Sequence, residues 1–242
     1  MVALRFVLLA GLVLGVGVGS VRAGTPFGGD DTGFVAPDKG SLKCEDGLSK
    51  KVGSLVTALI KCNIKDSDDL LKGKTFDLPG CQAQGTGKWD TTTMALVCPP
   101  CISKNGIRDL TVTLVNLNGG VVYCDNTSGT PQDSPNTGFV PANKALAKCE
   151  DGAAKNAGKL TTAIGKCHVK ASDDAFKGKT FDEEGCETAA LSKGAQADGL
   201  LTGCPSCLNS AGLASLRALV ENLLDSNNNQ AYCASPSGAF LN

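Results

Sequence analysis

Between residues 41 and 64 a stripe of apolar residues, Cys44, Leu48, Val52, Leu55, Leu59 and Cys62, is spaced four, four, three, four and three. At about 100° per residue they fall within an arc of roughly 80°. The pattern predicts one amphipathic helix of roughly seven turns. The stripe returns further on as Cys149, Ala153, Ala157, Leu160, Ile164 and Cys167, apolar throughout though smaller. Gly47 and Gly53, with Gly152 and Gly158, sit inside these helices. Each costs about 1 kcal/mol against Ala there, so either close helix packing or a kink is expected at them.

A second helix is predicted over residues 181–203, where Thr180 with Glu183 three later resembles a capping box. The corresponding stretch 84–89 (QGTGKW) is a poor helix, so its helix is expected to start late or break. A third helix is clear over 213–225 (LASLRALVENLLD). Its counterpart at 109–123 (DLTVTLVNLNGGVVY) also reads as a β-hairpin around Asn118-Gly119. The correspondence between the two stretches assigns helix to both.

That correspondence runs along the chain. Thr32-Gly-Phe-Val35 returns as Thr137-Gly-Phe-Val140, Lys43-Cys-Glu-Asp-Gly47 as Lys148-Cys-Glu-Asp-Gly152, and Lys72-Gly-Lys-Thr-Phe-Asp77 unchanged at 177–182, all at an offset of 105. Cys44, Cys62, Cys81, Cys98, Cys101 and Cys124 are followed by Cys149, Cys167, Cys186, Cys204, Cys207 and Cys233 at nearly the same intervals. The sequence is therefore read as an internal repeat. Residues 24–124 form a first six-cysteine module, 125–136 (DNTSGTPQDSPN) a linker rich in turn formers, and 137–242 a second module. The expected fold class is all-α: two tandem disulfide-stapled helical modules, each an antiparallel helical hairpin plus a third helix.

Residues 1–23 place Arg5 before an apolar run and end Val21-Arg22-Ala23, the form of a cleaved secretory signal peptide. The run is shorter than the roughly 20 residues of a spanning helix, so no stable membrane anchor is expected. Twelve cysteines in an exported chain predict disulfides. Export is to the extracellular space, or to the periplasm of a bacterium.

Eighteen residues of helix put Cys44 and Cys62 about 27 Å apart, far beyond the roughly 7 Å a bridge allows between Cα atoms. Each must pair elsewhere. Two antiparallel helices closed at both ends give Cys62–Cys81 and Cys167–Cys186 as near rungs, and Cys44–Cys98 and Cys149–Cys204 as far rungs. Cys101–Cys124 and Cys207–Cys233 then tie down the third helices. Exchanging the two members of each CxxC is the open alternative.

Chemistry is sparse. The formal charge is −1, or −3 once Arg5 and Arg22 are removed, with bases scattered among acids, so no nucleic-acid face is expected. The pairs Cys98-Pro-Pro-Cys101 and Cys204-Pro-Ser-Cys207 are redox candidates by motif alone, but they lack the strand–helix context of an oxidoreductase and serve better as structural bridges. A four-thiolate zinc site would need two CxxC pairs about a hundred residues apart. His168, the only histidine, is replaced by Asn63 in the first module and reads as a surface or capping residue; a catalytic triad in both modules is excluded. Asp68-Asp69 and Asp173-Asp174 read as caps of a short helix, and 225–229 (DSNNN) as a helix-ending turn rather than a calcium loop. The repeated Lys-Gly-Lys-Thr-Phe-Asp lacks the upstream glycine of a phosphate loop and reads as a connection anchored by Phe76 or Phe181.

No catalytic residue, cofactor or metal is expected. The sequence points to a secreted, non-enzymatic binding or structural protein acting on an extracellular protein. The alternatives are a carrier of a small apolar ligand or lipid between helices, and a thiol–disulfide oxidoreductase built on the CxxC pairs.

Overall fold

The computed structural model describes residues 25–27 and 29–233; the signal peptide expected at 1–23 lies outside the described residues. Among the described residues there are seven α-helices: α1 (Lys39–Leu71), α2 (Leu78–Thr93), α3 (Lys104–Leu117), the single turn α4 (Gly119–Val122), α5 (Lys144–Phe176), α6 (Glu183–Asp198) and α7 (Ser210–Ser226). Two-residue strands β1 (Thr25–Pro26) and β2 (Phe34–Val35) pair antiparallel. Among the described residues no helix is long and apolar enough to cross a membrane.

The two longest helices, α1 and α5, have 33 residues each and run about 50 Å. Asp38 caps the first, accepting from the N–H groups of Gly40 and Ser41 at 2.7 and 3.0 Å. Asn143 does the same for α5 with Ala145 and Leu146. Both continue past the end of the apolar stripe, because the buried face goes on in polar residues. Asn63, Asp66 and Ser67 are buried on α1, and His168 and Ser172 on α5. Asp68-Asp69 and Asp173-Asp174 therefore lie in the last turns of α1 and α5 and cap nothing new. Gly73 and Gly178, at φ +69° and +68°, stop the helices in the left-handed conformation that glycine adopts without strain. This is what the repeated Lys-Gly-Lys does.

The expected cap Thr180 is displaced by Asp182, and Asp77 plays the same part in the first half. These are the residues immediately before α2 and α6, and each accepts the N–H three positions on, Gly80 at 2.9 Å and Gly185 at 3.0 Å. Glycine-rich α2 is unbroken, held by tertiary packing that overrides its weak propensity. Trp89 is buried in it, and Gly85 lies against Ala58 and Leu55 of α1. The stretch 109–123 is helical up to Leu117, with a break at Asn118 before α4.

Bridges Cys62–Cys81 and Cys44–Cys98 join α1 to the start of α2 and to the chain beyond its end. Cys167–Cys186 and Cys149–Cys204 do the same for α5 and α6. The remaining cysteines depart from expectation. Cys101 pairs with Cys233, not Cys124, and Cys207 pairs with Cys124, not Cys233, with Cα separations of 6.2 and 6.3 Å. The reason is helix length. The 14 residues of α3 and the 17 of α7 carry the chain about 21 and 26 Å away from each CxxC, so the last cysteine of each half is delivered to the other half.

The exchanged ends are packed in. Tyr232 donates to Asp46 at the start of α1 (2.9 Å), and Tyr123 donates to Asp151 at the start of α5 (3.1 Å). Both tyrosines are fully buried. Phe27, Val35, Ala231 and Tyr232, from the two ends of the described chain, share one core with Leu48, Leu55, Leu59 and Trp89. The stretch expected as a linker is docked as well: Asp125, Gln132 and Asn136 are buried, and the Asp133 N–H donates to Asp66 at 3.3 Å.

The central contact is between α1 and α5, which cross antiparallel. A Cβ on Gly53 would lie 3.0 Å from Thr162 Oγ1 and 3.3 Å from its Cα, and one on Gly158 would lie 3.0 Å from Ile60 Cδ1. Gly47 and Gly152 instead make room for Leu96 and Leu201 from the segments following α2 and α6. Close packing, not a kink, explains all four. Gly53→Val is expected to lower stability by about 1–3 kcal/mol in urea unfolding, whereas Val at the exposed neighbour Ser54 changes it by no more than about 0.5 kcal/mol. Equal effects at the two positions would contradict the crossing.

Candidate functional site

His168 follows Cys167 on α5, and the Cys167–Cys186 bridge draws the first turn of α6 against it. Glu183 and Glu187 stand one helical turn apart on α6 and so share a face. Asp225 comes from the end of α7, and Asp31 from the turn between β1 and β2. These four elements bring carboxylate oxygens of Glu187, Asp31, Asp225 and Glu183 to 2.9, 3.2, 3.4 and 3.5 Å from His168 Nε2. All five side chains are at least 94% buried. The nearest ligand atoms of Asp31, His168, Glu183 and Glu187 lie within 4.8 Å of one another, a spacing one metal ion would bridge.

The contacts are close but poorly aligned. His168 Nε2, Glu187 Oε1 and both carboxylate oxygens of Asp31, Glu183 and Asp225 have no hydrogen-bond partner. Burial pushes Asp31 up to about 7, and burial with the neighbouring Asp31 charge pushes Glu183 up to about 10. Asp225 is also raised by burial. Burial alone would pull His168 down, but the carboxylates of Asp225 and Glu187 outweigh it and hold the imidazole at about 10.

The expectation of a surface or capping histidine is corrected: His168 is 2% exposed at the centre of an acidic cage. The individual residues gave no motif, because the five come from four elements spread from position 31 to 225. A signal was present in the comparison of halves. At the 105-residue offset, Asp31, His168, Glu183 and Glu187 correspond to Asn136, Asn63, Leu78 and Gln82. Asp225 corresponds to Asn116, since their carbonyls accept from the paired Thr32 and Thr137. Every ionisable group of the cage is neutral in the first half. There, Gln82 donates to Asn116 at 2.8 Å and to Asn63 at 3.3 Å, while Asn116 donates back to Gln82 at 3.2 Å.

Other sequence candidates are not brought together as chemical sites. Cys98 and Cys101 are bound to Cys44 and Cys233, and Cys204 and Cys207 to Cys149 and Cys124. Neither CxxC is closed on itself and none of the twelve cysteines is free. The turn at 225–229 ends α7, where Asn227 Nδ2 donates to the Leu223 carbonyl at 2.8 Å.

A cavity of about 190 Å³ opens between α1, α3, α5 and α7. Its wall is mostly aliphatic, with Val52, Val56 and Ile60 of α1 facing Leu114 of α3 and Leu219 and Leu223 of α7. Polar groups are few, among them Asn63 and His168.

No family model matches the chain. No curated protein and no solved structure matches it either.

One further set of buried acids serves the fold. Glu45 and Glu150, at equivalent positions, are both fully buried; Glu150 accepts from the Asp125 N–H at 3.1 Å. Burial raises Glu45 to about 8 and Glu150 to about 7, with nearby carboxylates adding to the shift. A carboxyl raised in the folded state binds its proton more tightly than in the unfolded chain. Its stabilising contribution is complete below the unfolded value near 4.3 and is lost as pH rises through the folded value. Stability should therefore fall between pH 5 and pH 8. Glu45→Gln should flatten that fall and stabilise the protein at pH 8 by on the order of 3 kcal/mol, read from urea midpoints across the range. Identical slopes for the two proteins would contradict the assignment.

Proposed function

We propose that the protein is an exported, non-enzymatic carrier that holds a small apolar molecule in the cavity between α1, α3, α5 and α7, on a scaffold of two duplicated, disulfide-stapled six-cysteine modules. The observation that carries this reading is the cavity itself. Its volume of about 190 Å³ exceeds that of the ~150 Å³ apolar cavities known to stay dry and take up benzene. The cavity opens to solvent and leaves its aliphatic wall uncovered by protein, so a ligand that covers that wall removes apolar surface from water and adds dispersion contacts. The occupant fitted by this wall is a compact apolar molecule, on the order of a substituted benzene, with at most one polar group directed to Asn63 or His168.

Six bridges suit the reading, because they hold four helices around a cavity that packing alone would tend to collapse. The −3 charge of residues 24–242 and the signal-peptide pattern at 1–23 support export without nucleic-acid binding. The broader reading as a binding or structural protein for another extracellular protein has no observation of comparable kind behind it. A thiol–disulfide function has less, since each CxxC cysteine is joined to a distant partner.

Native mass spectrometry of the purified chain, together with thermal shifts in toluene and indole, tests the proposal. A co-purified small molecule or a saturable rise in Tm is expected, and Val56→Phe or Ala157→Phe, each of which puts an aromatic ring into the cavity from a lining position, should weaken binding at least about tenfold. A bare chain that responds to neither probe, or probe binding unchanged in both filled variants, would overturn it.

A further inference from the structure

We propose that Asp31, His168, Glu183, Glu187 and Asp225 form a binding site for one first-row divalent metal ion, next to the apolar cavity, with whose wall it shares His168. Four carboxylates and a single imidazole meet inside protein, and the imidazole can contribute at most one positive charge. Buried charges in native proteins are paired, hydrogen-bonded or bound to metal. Here the oxygens of Asp31, Glu183 and Asp225, with Glu187 Oε1 and His168 Nε2, lack hydrogen-bond partners, although their side chains are at least 94% buried. They converge on one point. An ion coordinated at about 2.0–2.2 Å by imidazole nitrogen and carboxylate oxygen fits among the ligand atoms of Asp31, His168, Glu183 and Glu187, which lie within 4.8 Å of one another, with Asp225 beside them at 3.4 Å from His168 Nε2.

The first half of the chain supplies an independent reason. The same backbone, built from α1, α2, the end of α3 and the segment before α5, accommodates Asn63, Leu78, Gln82, Asn116 and Asn136. Three of these, Asn63, Gln82 and Asn116, are joined by side-chain amide hydrogen bonds. The fold therefore does not require charge at these positions. Five neutral positions in one half match five ionisable ones in the other, and all five ionisable groups meet at a single point. Packing does not call for that concentration of charge, whereas ligation does.

The donor set indicates the class of ion. Calcium and magnesium sites are built from oxygen; an imidazole among carboxylates suits manganese, iron(II) or zinc better. Phe27, whose ring centroid lies 6.3 Å from that of His168 edge to face, packs beside the imidazole, and the bridge Cys167–Cys186 holds α6 to α5 at the adjacent residue. The site is thereby organised before any ion arrives.

The test uses the untagged full chain after chelator treatment, titrated with zinc chloride and manganese chloride. Because His168 is the only histidine, its ring protons report directly by NMR. Zinc should shift them and manganese should broaden them, both saturating at one ion per chain with a rise in Tm. Replacing the five residues with those of the first half, as Asp31→Asn, His168→Asn, Glu183→Leu, Glu187→Gln and Asp225→Asn together, should weaken the calorimetric affinity for zinc by at least about 100-fold. Ring signals of the wild-type chain that neither ion moves would overturn the proposal, whether or not the fivefold variant folds. So would calorimetric binding that survives intact in a folded variant, since the ion would then sit elsewhere. A response to calcium alone would overturn the assigned class.

Discussion

Two covalent bonds decide how this chain is put together. Cys101–Cys233 and Cys124–Cys207 each cross from one half to the other, so the ends of α3 and of the segment after α7 are exchanged between halves. The long helices α1 and α5 are thereby held antiparallel at the glycine-lined crossing, with the exchanged tyrosines locked onto Asp46 and Asp151. The core around Leu48 and Trp89 draws residues from opposite ends of the sequence, and the core around Ala153 and Leu216 takes in Val122 and Tyr123 from the first half. The cavity between α1, α3, α5 and α7 is a consequence of the same exchange, since α3 and α7 must lie alongside the crossing to deliver their ends.

The approximate twofold correspondence also separates structure from function. Tyr–Asp bonds, buried Glu45 and Glu150, cap residues and helix-stopping glycines occur in both halves and can be accounted for by folding alone. The cage around His168 occurs once. A buried group present in both halves is explained by what the fold needs, whereas one confined to a single half needs its own explanation. On that ground the amide network of Gln82 and the acid cage of Glu187 have different meanings despite near-identical surroundings.

Much of the secondary structure was legible in the sequence because the signals were local. The stripe from Cys44 to Cys62 places α1, and its neutral or small counterpart from Cys149 to Cys167 places α5. Both understate the helix, because the buried face turns polar at Asn63 and His168 and hydrophobic periodicity no longer tracks it. The four bridges beside the helix pairs follow from the 27 Å that separates cysteines on one helix face. Applied to α3 and α7, the same reasoning excludes Cys101–Cys124 and Cys207–Cys233, but which distant cysteine each then meets depends on how the halves are arranged. The cage was illegible for a related reason. Asp31 reaches His168 only because the N-terminal arm packs beside the end of α7, with the Thr32 N–H on the Asp225 carbonyl, a contact spanning nearly the whole chain.

The interlocked arrangement is tested most directly by a peptide map of the protein digested without reduction and with free thiols blocked. Linked peptides containing Cys101 with Cys233, and Cys124 with Cys207, are the result predicted here. Peptides joining Cys101 to Cys124 and Cys207 to Cys233 would describe two separately closed modules and would contradict the exchange of ends, the crossing and the cavity together.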